Sequence, residues 1–280
     1  MKETIVRRPS PVDSWSDHHL PQDREKWFAV RLRAIMHGRE ALILCFLLAV
    51  LWQAVSLLSA AQYRFLFPSL IVVAQALWES LPELLRGTYY SFLILVPGYA
   101  AAVVAGVAWG ILVGTTGWLQ RGFTPFARAV APVPPTVYIP YAIACLSTFR
   151  LSAISVVFIG AFWPIFLSTA AGAAAVPGQY RDNARILGLT RVEYLWRVVL
   201  PASLPQSFSG IAVGLALSFI LLTVAELFGA NAGLGRFVQY YADFADYPKM
   251  VAGIVYIGLV TFLSMEGLER IRRRALFWVK

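Results

Sequence analysis

The chain has 280 residues, 59% of them apolar and only 14% charged, with a formal net charge of +9 and a mean hydropathy of +0.65. This balance excludes an ordinary soluble protein, because the uncharged runs at 41–63, 87–120, 129–149, 151–180, 198–225 and 250–265 each approach or exceed the roughly 20 residues a membrane helix needs. About six spans and their loops leave no room for a soluble catalytic domain of about 100 residues, so energy for any work must come from a partner or a gradient.

In chain order, residues 1–40 form a polar tail with Pro9, Pro11 and Pro21 and no apolar core of a cleavable signal, so the first span is expected to direct its own insertion and the membrane region to run over 41–280. His18, His19 and His37 lie outside the spans without carboxylates or cysteines at ligand spacing, and no metal site is expected. Cys45 and Cys145 fall inside apolar runs and are read as small buried hydrophobes rather than a disulfide. The spans are placed at 41–60, 90–114, 127–148, 152–172, 206–228 and 250–267, with a core over 85–270. Between the first two, segment 66–86 carries Leu70, Ile71, Gln75, Leu77, Trp78, Leu81 and Leu84 on one face and Glu79, Glu83 and Arg86 elsewhere, the pattern of an interfacial helix on the outer surface.

Gly106, Gly110 and Gly114 in the second span and Gly210 and Gly214 in the fifth have the spacing that lets helix backbones approach closely in lipid, and packing within the chain is expected of them. The third span is irregular. Pro132, Pro134, Pro135 and Pro140 each remove a backbone donor, so this segment is either a bent structural helix or the lining of a path. Placed on these spans, 19 of the 24 basic residues fall in the N-terminal tail, the loop with Arg121 and Arg128, the 173–205 loop and the C-terminal tail. The other five are Arg64, Arg86, Arg150, Arg236 and Lys249. The positive-inside tendency then puts both termini and the 173–205 loop in the cytoplasm and accounts for the net charge without nucleic acid.

The stretch 177–205, PGQYRDNARILGLTRVEYLWRVVLPASLP, is polar yet not turn-rich, and it reads as two short helices. The first runs from about Gln179 to Leu187, with Tyr180, Ala184 and Leu187 on one face, and Gly188 stands where a helix stop is expected. The second begins at Thr190, which with Glu193 makes a Thr-x-x-Glu capping box; Val192, Leu195, Trp196 and Val199 follow with helical period, and Pro201 closes the unit. A compact helix–turn–helix far longer than a plain connector needs a reason. Docking of a cytosolic partner and an amphipathic elbow resting on the membrane fit the composition about equally.

The spacing resembles the loop of permease subunits of bacterial ABC importers, in which Glu-Ala-Ala is followed after three residues by Gly and after nine more by Ile-x-Leu-Pro. Here Asp182-Asn183-Ala184, Gly188 and Val198-Val199-Leu200-Pro201 stand at those separations, with Asp for Glu, Asn for Ala and Val for Ile as departures. Gly160-Ala161-Phe162-Trp163-Pro164-Ile165, Val224-Ala225-Glu226-Leu227-Phe228-Gly229-Ala230, Gly233-Leu234-Gly235 and Phe67-Pro68-Ser69 extend the likeness over roughly 65–275, toward the nitrate, sulfonate and taurine branch. The resemblance implies an all-α polytopic fold of the type I importer class. It also implies that Tyr180, Asp182, Asn183, Ala184, Gly188, Leu189, Thr190, Glu193, Leu200 and Pro201 belong to a coupling loop that docks on a separate ATPase subunit. The implied partners are two copies of that ATPase, a second copy of this permease, an external solute-binding protein and membrane lipid. No Gly-x-x-x-x-Gly-Lys-Ser/Thr loop occurs in the chain, so ATP and Mg are expected on the partner and no cofactor on this subunit.

Glu226 is the only acidic residue in 198–235 and must face protein or water; it repels an anion and is read as structural or as part of an outer gate. Tyr138, Ser218 and Thr223 are candidate path-lining groups, with hydrogen bonding to neighbouring backbone as the alternative. The expected solute is a small anion such as a sulfonate, taurine or nitrate, with bicarbonate or a thiamine pyrimidine precursor as alternatives. An ion-coupled secondary carrier would show internal repeats and mid-span ionisable groups, and an intramembrane enzyme a His-containing constellation within the spans; the chain offers neither pattern.

Overall fold

The computed structural model describes residues 43–59 and 66–278. Two units are present, one ending at Leu70 and one starting at Ile71. In the first, α1 (Ile43–Leu58) is a short apolar helix. Residues 68 and 70 meet its side chains, with Trp52 Nε1 donating to Pro68 O at 3.0 Å and Leu70 N donating to Gln53 Oε1 at 3.1 Å. The polar stretch 1–40, its boundary at residue 41 and the outermost residues of the expected first span lie outside the described residues.

The second unit is helical throughout, with no strand among the described residues. Its elements are α2 (Leu70–Glu79), α3 (Leu81–Thr115), α4 (Gly117–Val130), a 3₁₀ turn (Pro135–Tyr138), α5 (Ile139–Cys145), α6 (Phe149–Ala174), α7 (Gly178–Ile186), α8 (Arg191–Tyr194), a π turn (Leu195–Val199), α9 (Leu200–Gly229), α10 (Leu234–Asp243) and α11 (Tyr247–Ala275). Four stretches are long and apolar enough to cross a membrane: α3, α6, the continuous run Arg191–Gly229 and α11. The membrane-spanning character expected from composition and the all-α class implied by the resemblance are what the chain adopts.

Helix α6 packs between α3 and α9, and glycines allow the approach. A methyl group at Gly110 would lie 2.7 Å from Thr169 Cβ, and one at Gly214 would lie 3.1 Å from Ile165 Cδ1, so both glycine series face α6 of the same chain, as expected. Ile94 and Leu95 of α3, Val156 and Val157 of α6, and Leu215, Phe219 and Leu222 of α9 fill the core where the three meet, together with Ile139.

Four expectations need correction. The third span is not one helix over 127–148: α4 ends at Val130 and the chain resumes only through the 3₁₀ turn and the seven residues of α5. Prolines at 132, 134 and 135 leave too few donors for a continuous ladder. Segment 66–86 is not one interfacial helix either, because it breaks at Ser80 and Leu81 to Arg86 open α3, where Pro82 is tolerated since first-turn N–H groups have no partner anyway. Of its expected apolar face, Leu84 is buried, with Leu77 and Leu81 packed beside it, whereas Ile71 and Trp78 are exposed. Pro201 does not close the loop. The π turn before it, with Leu200 N donating to Leu195 O, lets the helix pass through Pro201 and run on to Gly229. Finally, Cys45 and Cys145 are exposed on the chain's surface rather than buried, since an apolar side chain in a membrane protein need not face the protein interior.

Candidate functional site

Two loops carry the candidate residues. The first joins α7 to α8. At the end of α7, Leu189 N donates to Ala184 O at 3.0 Å and Gly188 N to Arg185 O at 3.1 Å, the paired bonds of a Schellman stop, with Gly188 at φ +69°. Only a residue without Cβ takes that backbone angle without strain. Two residues on, Thr190 starts the next helix with both halves of the capping box formed. Glu193 N donates to Thr190 Oγ1 at 3.3 Å, and Thr190 N donates to Glu193 Oε2 at 3.0 Å. Each orphan amide is thus satisfied by a residue three positions away.

This element presents two sides. Ala184 is buried and helps line a cavity of about 390 Å³ with Thr115, Arg181, Arg185, Leu189, Arg191 and Tyr194. Arg191 Nη2 donates to Thr116 Oγ1 at 3.1 Å, tying the loop to the junction of α3 and α4. On the other side Tyr180, Asp182, Asn183, Ile186 and Leu187 are exposed, with Ile186 at 84% and Leu187 at 75%. The face expected to unite Tyr180, Ala184 and Leu187 is therefore split, Ala184 turning inward and the other two outward. Leu200 and Pro201 are half-buried at the start of α9.

The second loop joins α9 to α10. Glu226 is fully buried. Ser91 Oγ, on α3, donates to Glu226 Oε1 at 2.6 Å; Gly235 N donates to Glu226 Oε2 at 2.6 Å; and Leu234 N donates to Ser91 Oγ at 2.9 Å. Leu234 and Gly235 are the first residues of α10, whose N-cap is Gly233 at φ +140° with no side chain to offer. Ser91 and Glu226 replace the missing cap from two other helices, and a carboxylate at a helix N-terminus is electrostatically favoured. Contact with Glu226 also accounts for the glycines, since a Cβ at Gly233 or Gly235 would collide with its side chain. Sequence reasoning singled out Glu226 but missed Ser91, for a serine in an apolar helix gives no signal until its neighbours are known.

The other candidates are not gathered around Glu226. Ser218 is buried and donates to Gly214 O at 2.7 Å, and Thr223 donates to Phe219 O at 2.9 Å, so both hydroxyls engage the preceding turn of their own helix. Tyr138 lies half-buried where the 3₁₀ turn meets α5.

Residues 102–275 match the family described as the binding-protein-dependent transport system inner membrane component. The chain belongs to this family. Among its relatives are the nitrate import permease protein NrtB of Synechocystis sp., 33% identical over 59% of this chain and 60% of its own, and the taurine transport system permease protein TauC of Escherichia coli, 33% identical over 64% of this chain and 65% of its own. The bicarbonate transport system permease protein CmpB of Synechococcus elongatus is 30% identical over 66% of this chain and 64% of its own. The match thus spans less than two thirds of each of these relatives' length. Among solved structures, an inward-facing conformation of the MetNI methionine ABC transporter superposes with a TM-score of 0.61 at 19% identity, covering 70% of this chain and 98% of that one, a likeness of fold. As a family member the chain is a membrane transport component, and both loops described above lie within the matched residues.

Proposed function

We propose that this transport component is the membrane-spanning permease subunit of an ATP-driven importer, working as a pair of permeases with two cytoplasmic ATPase subunits and receiving its solute from an external binding protein. The observation that carries the reading is the α7–α8 loop, a self-capped pair of short helices whose outer side is left uncovered with Ile186, Leu187, Val192 and Trp196 exposed. Exposed apolar side chains on an internally satisfied element suit burial against a partner better than exposure to water. The ATPase would hold and hydrolyse ATP with Mg, and the loop would pass the movement of its closure to α9 through the unbroken helix from Arg191 to Gly229. In this reading both termini and the α7–α8 loop are cytoplasmic and the α9–α10 loop faces outward. Relatives that carry nitrate, taurine and bicarbonate in their names point to a small anionic or sulfonate-bearing solute.

Gly188 supplies the test. No atom lies within 4 Å of where its Cβ would stand, so a side chain there meets open space and the chain should still fold. The positive φ adds strain of roughly 1–2 kcal/mol for any other residue. Gly188→Asp should insert normally, yet capture less of a co-expressed partner ATPase in a pull-down and lose transport in vesicles. Normal capture and transport would show the loop to be a membrane-resting elbow.

A further inference from the structure

A cleft of about 390 Å³ opens between the first turns of α3 and α10, lined by Glu83, Arg86, Tyr90, Asn231, Arg236 and Tyr240 among others. Arg86 Cζ lies over the Tyr90 ring and Arg236 Cζ over the Tyr240 ring, each at 5.8 Å. The ring faces hold the guanidinium groups without engaging their N–H donors in the ring plane. Among the described residues the ion pairs join Arg197, Lys249, Arg270, Arg272 and Arg273 to carboxylates, and Arg150 and Arg191 donate to a carbonyl and a hydroxyl. Arg86 and Arg236 do neither.

Two carboxylates lie nearby, and neither forms an ion pair with Arg86 or Arg236. Glu83 accepts a hydrogen bond from Tyr241 OH at 3.0 Å. Burial first, and then that bond to Glu83, push the Tyr241 hydroxyl up to about 12, so it remains a donor at any physiological pH. Glu226 behind Gly233 is sealed from the cleft's solvent and has one oxygen on Ser91 and the other on Gly235. Two guanidinium forks with free donors therefore share one cleft of small-ligand size with the Asn231 side chain at its edge.

We propose that this cleft is a receiving site for a small oxyanion, with Arg86 and Arg236 as its charge-assisted donors. A planar guanidinium pairs two N–H groups with two oxygens of one anion, so nitrate, carboxylate, bicarbonate and sulfonate groups all fit this donor set. The cleft is at the start of α3, and the α7–α8 loop is tied to the residue after its other end, about 50 Å away along 35 residues. The orientation proposed above turns the cleft outward, where a delivered solute arrives. What the bound anion is for rests on the importer reading; whether it binds does not.

The test uses the full chain alone in lipid nanodiscs, with methanesulfonate as probe and dimethyl sulfone as its neutral counterpart of similar shape, followed by ligand-observed saturation-transfer NMR. Methanesulfonate should give a saturable signal that dimethyl sulfone lacks. Arg86→Gln and Arg236→Gln should each weaken it about tenfold, the equivalent of one charge-assisted hydrogen bond, and the double variant should abolish it. Arg236→Lys, which keeps the charge and loses the fork, should fall between wild type and Arg236→Gln. Arg86 is exposed and Arg236 half-buried, and elution and thermal midpoint of each variant confirm folding. Unchanged binding in the double variant, equal binding of dimethyl sulfone, or no binding of the free anion to wild type would each overturn the proposal. No anion binding by a wild-type chain that still captures the ATPase sinks this site alone, and anion binding by a wild-type chain that captures no ATPase sinks the importer reading alone.

Discussion

The α7–α8 and α9–α10 loops pose the same structural problem and solve it oppositely. Each is a short break with a glycine at positive φ, Gly188 at +69° and Gly233 at +140°. Each must satisfy the free amides of the helix that follows. The first does so with Thr190 and Glu193, its own neighbours. The second reaches Ser91, 143 residues from Leu234 in the chain, and the carboxylate of Glu226. A loop that caps itself can shift against α3 by giving up one exposed hydrogen bond, Arg191 to Thr116, with no buried group left unpaired, whereas one capped from α3 and α9 holds only while those helices keep their places. That division suits a movable docking element at one end of the molecule and a fixed frame at the other.

The largest expected contrast is one of side. With Cys45 and Cys145 replaced, since both are exposed, single cysteines at Ile186 and Asp243 probe the two ends. An impermeant thiol reagent added to intact cells should label Asp243→Cys fully and Ile186→Cys only after permeabilisation. Labelling of Ile186→Cys in intact cells with Asp243→Cys protected would invert the orientation and remove the cytoplasmic role of the α7–α8 loop.

Next comes stability. Glu226→Ala would leave the Ser91 hydroxyl and the Gly235 amide buried without an acceptor and open a cavity, at a cost of about 3 kcal/mol or more. Glu226→Gln keeps the shape and one acceptor oxygen and should lose roughly 1–2 kcal/mol. Denaturation in detergent, paired with tryptic cleavage after Arg236 as a local reporter, measures both. If Glu226→Ala costs no more than a change at the self-capped loop, the distinction between the two loops collapses.

How much of this was legible in the sequence follows the same division. The stop at Gly188 and the capping box at Thr190 were readable because every participant lies within a few residues and the chemistry of each position is local. The glycine spacing in α3 and α9 was readable because close packing of membrane helices requires small residues at that period. Glu226 stood out as a lone carboxylate in an apolar stretch, but its partners could not be read. Ser91 and the amides of Leu234 and Gly235 meet it only through tertiary packing. The span boundaries failed where prolines act by context: three of them dissolve the segment after Val130, whereas Pro201 passes inside a helix because a π turn precedes it. Arg86 and Arg236 entered the charge count as minor outer residues, and only the fold brings them into one cleft.

The smallest effect sharpens the comparison from the other side. Thr190→Ala removes the hydroxyl that accepts from Glu193 N, and an N-cap of this kind is worth about 1 kcal/mol. Because the capping box closes on itself, the loss should stay in the loop: amide exchange at Glu193 should accelerate about fivefold, the equivalent of that energy, while Ser91, Leu234 and Gly235 keep their protection. Thr190→Ser, which restores an acceptor at the same position, should return exchange to near the wild-type rate. The thermal midpoint of the whole chain should hardly move, since Arg191 still anchors the loop through Thr116. If instead Thr190→Ala lowered the global midpoint as far as Glu226→Ala does, the α7–α8 loop would be part of the frame, and its proposed freedom to move with a docked ATPase would have no structural basis.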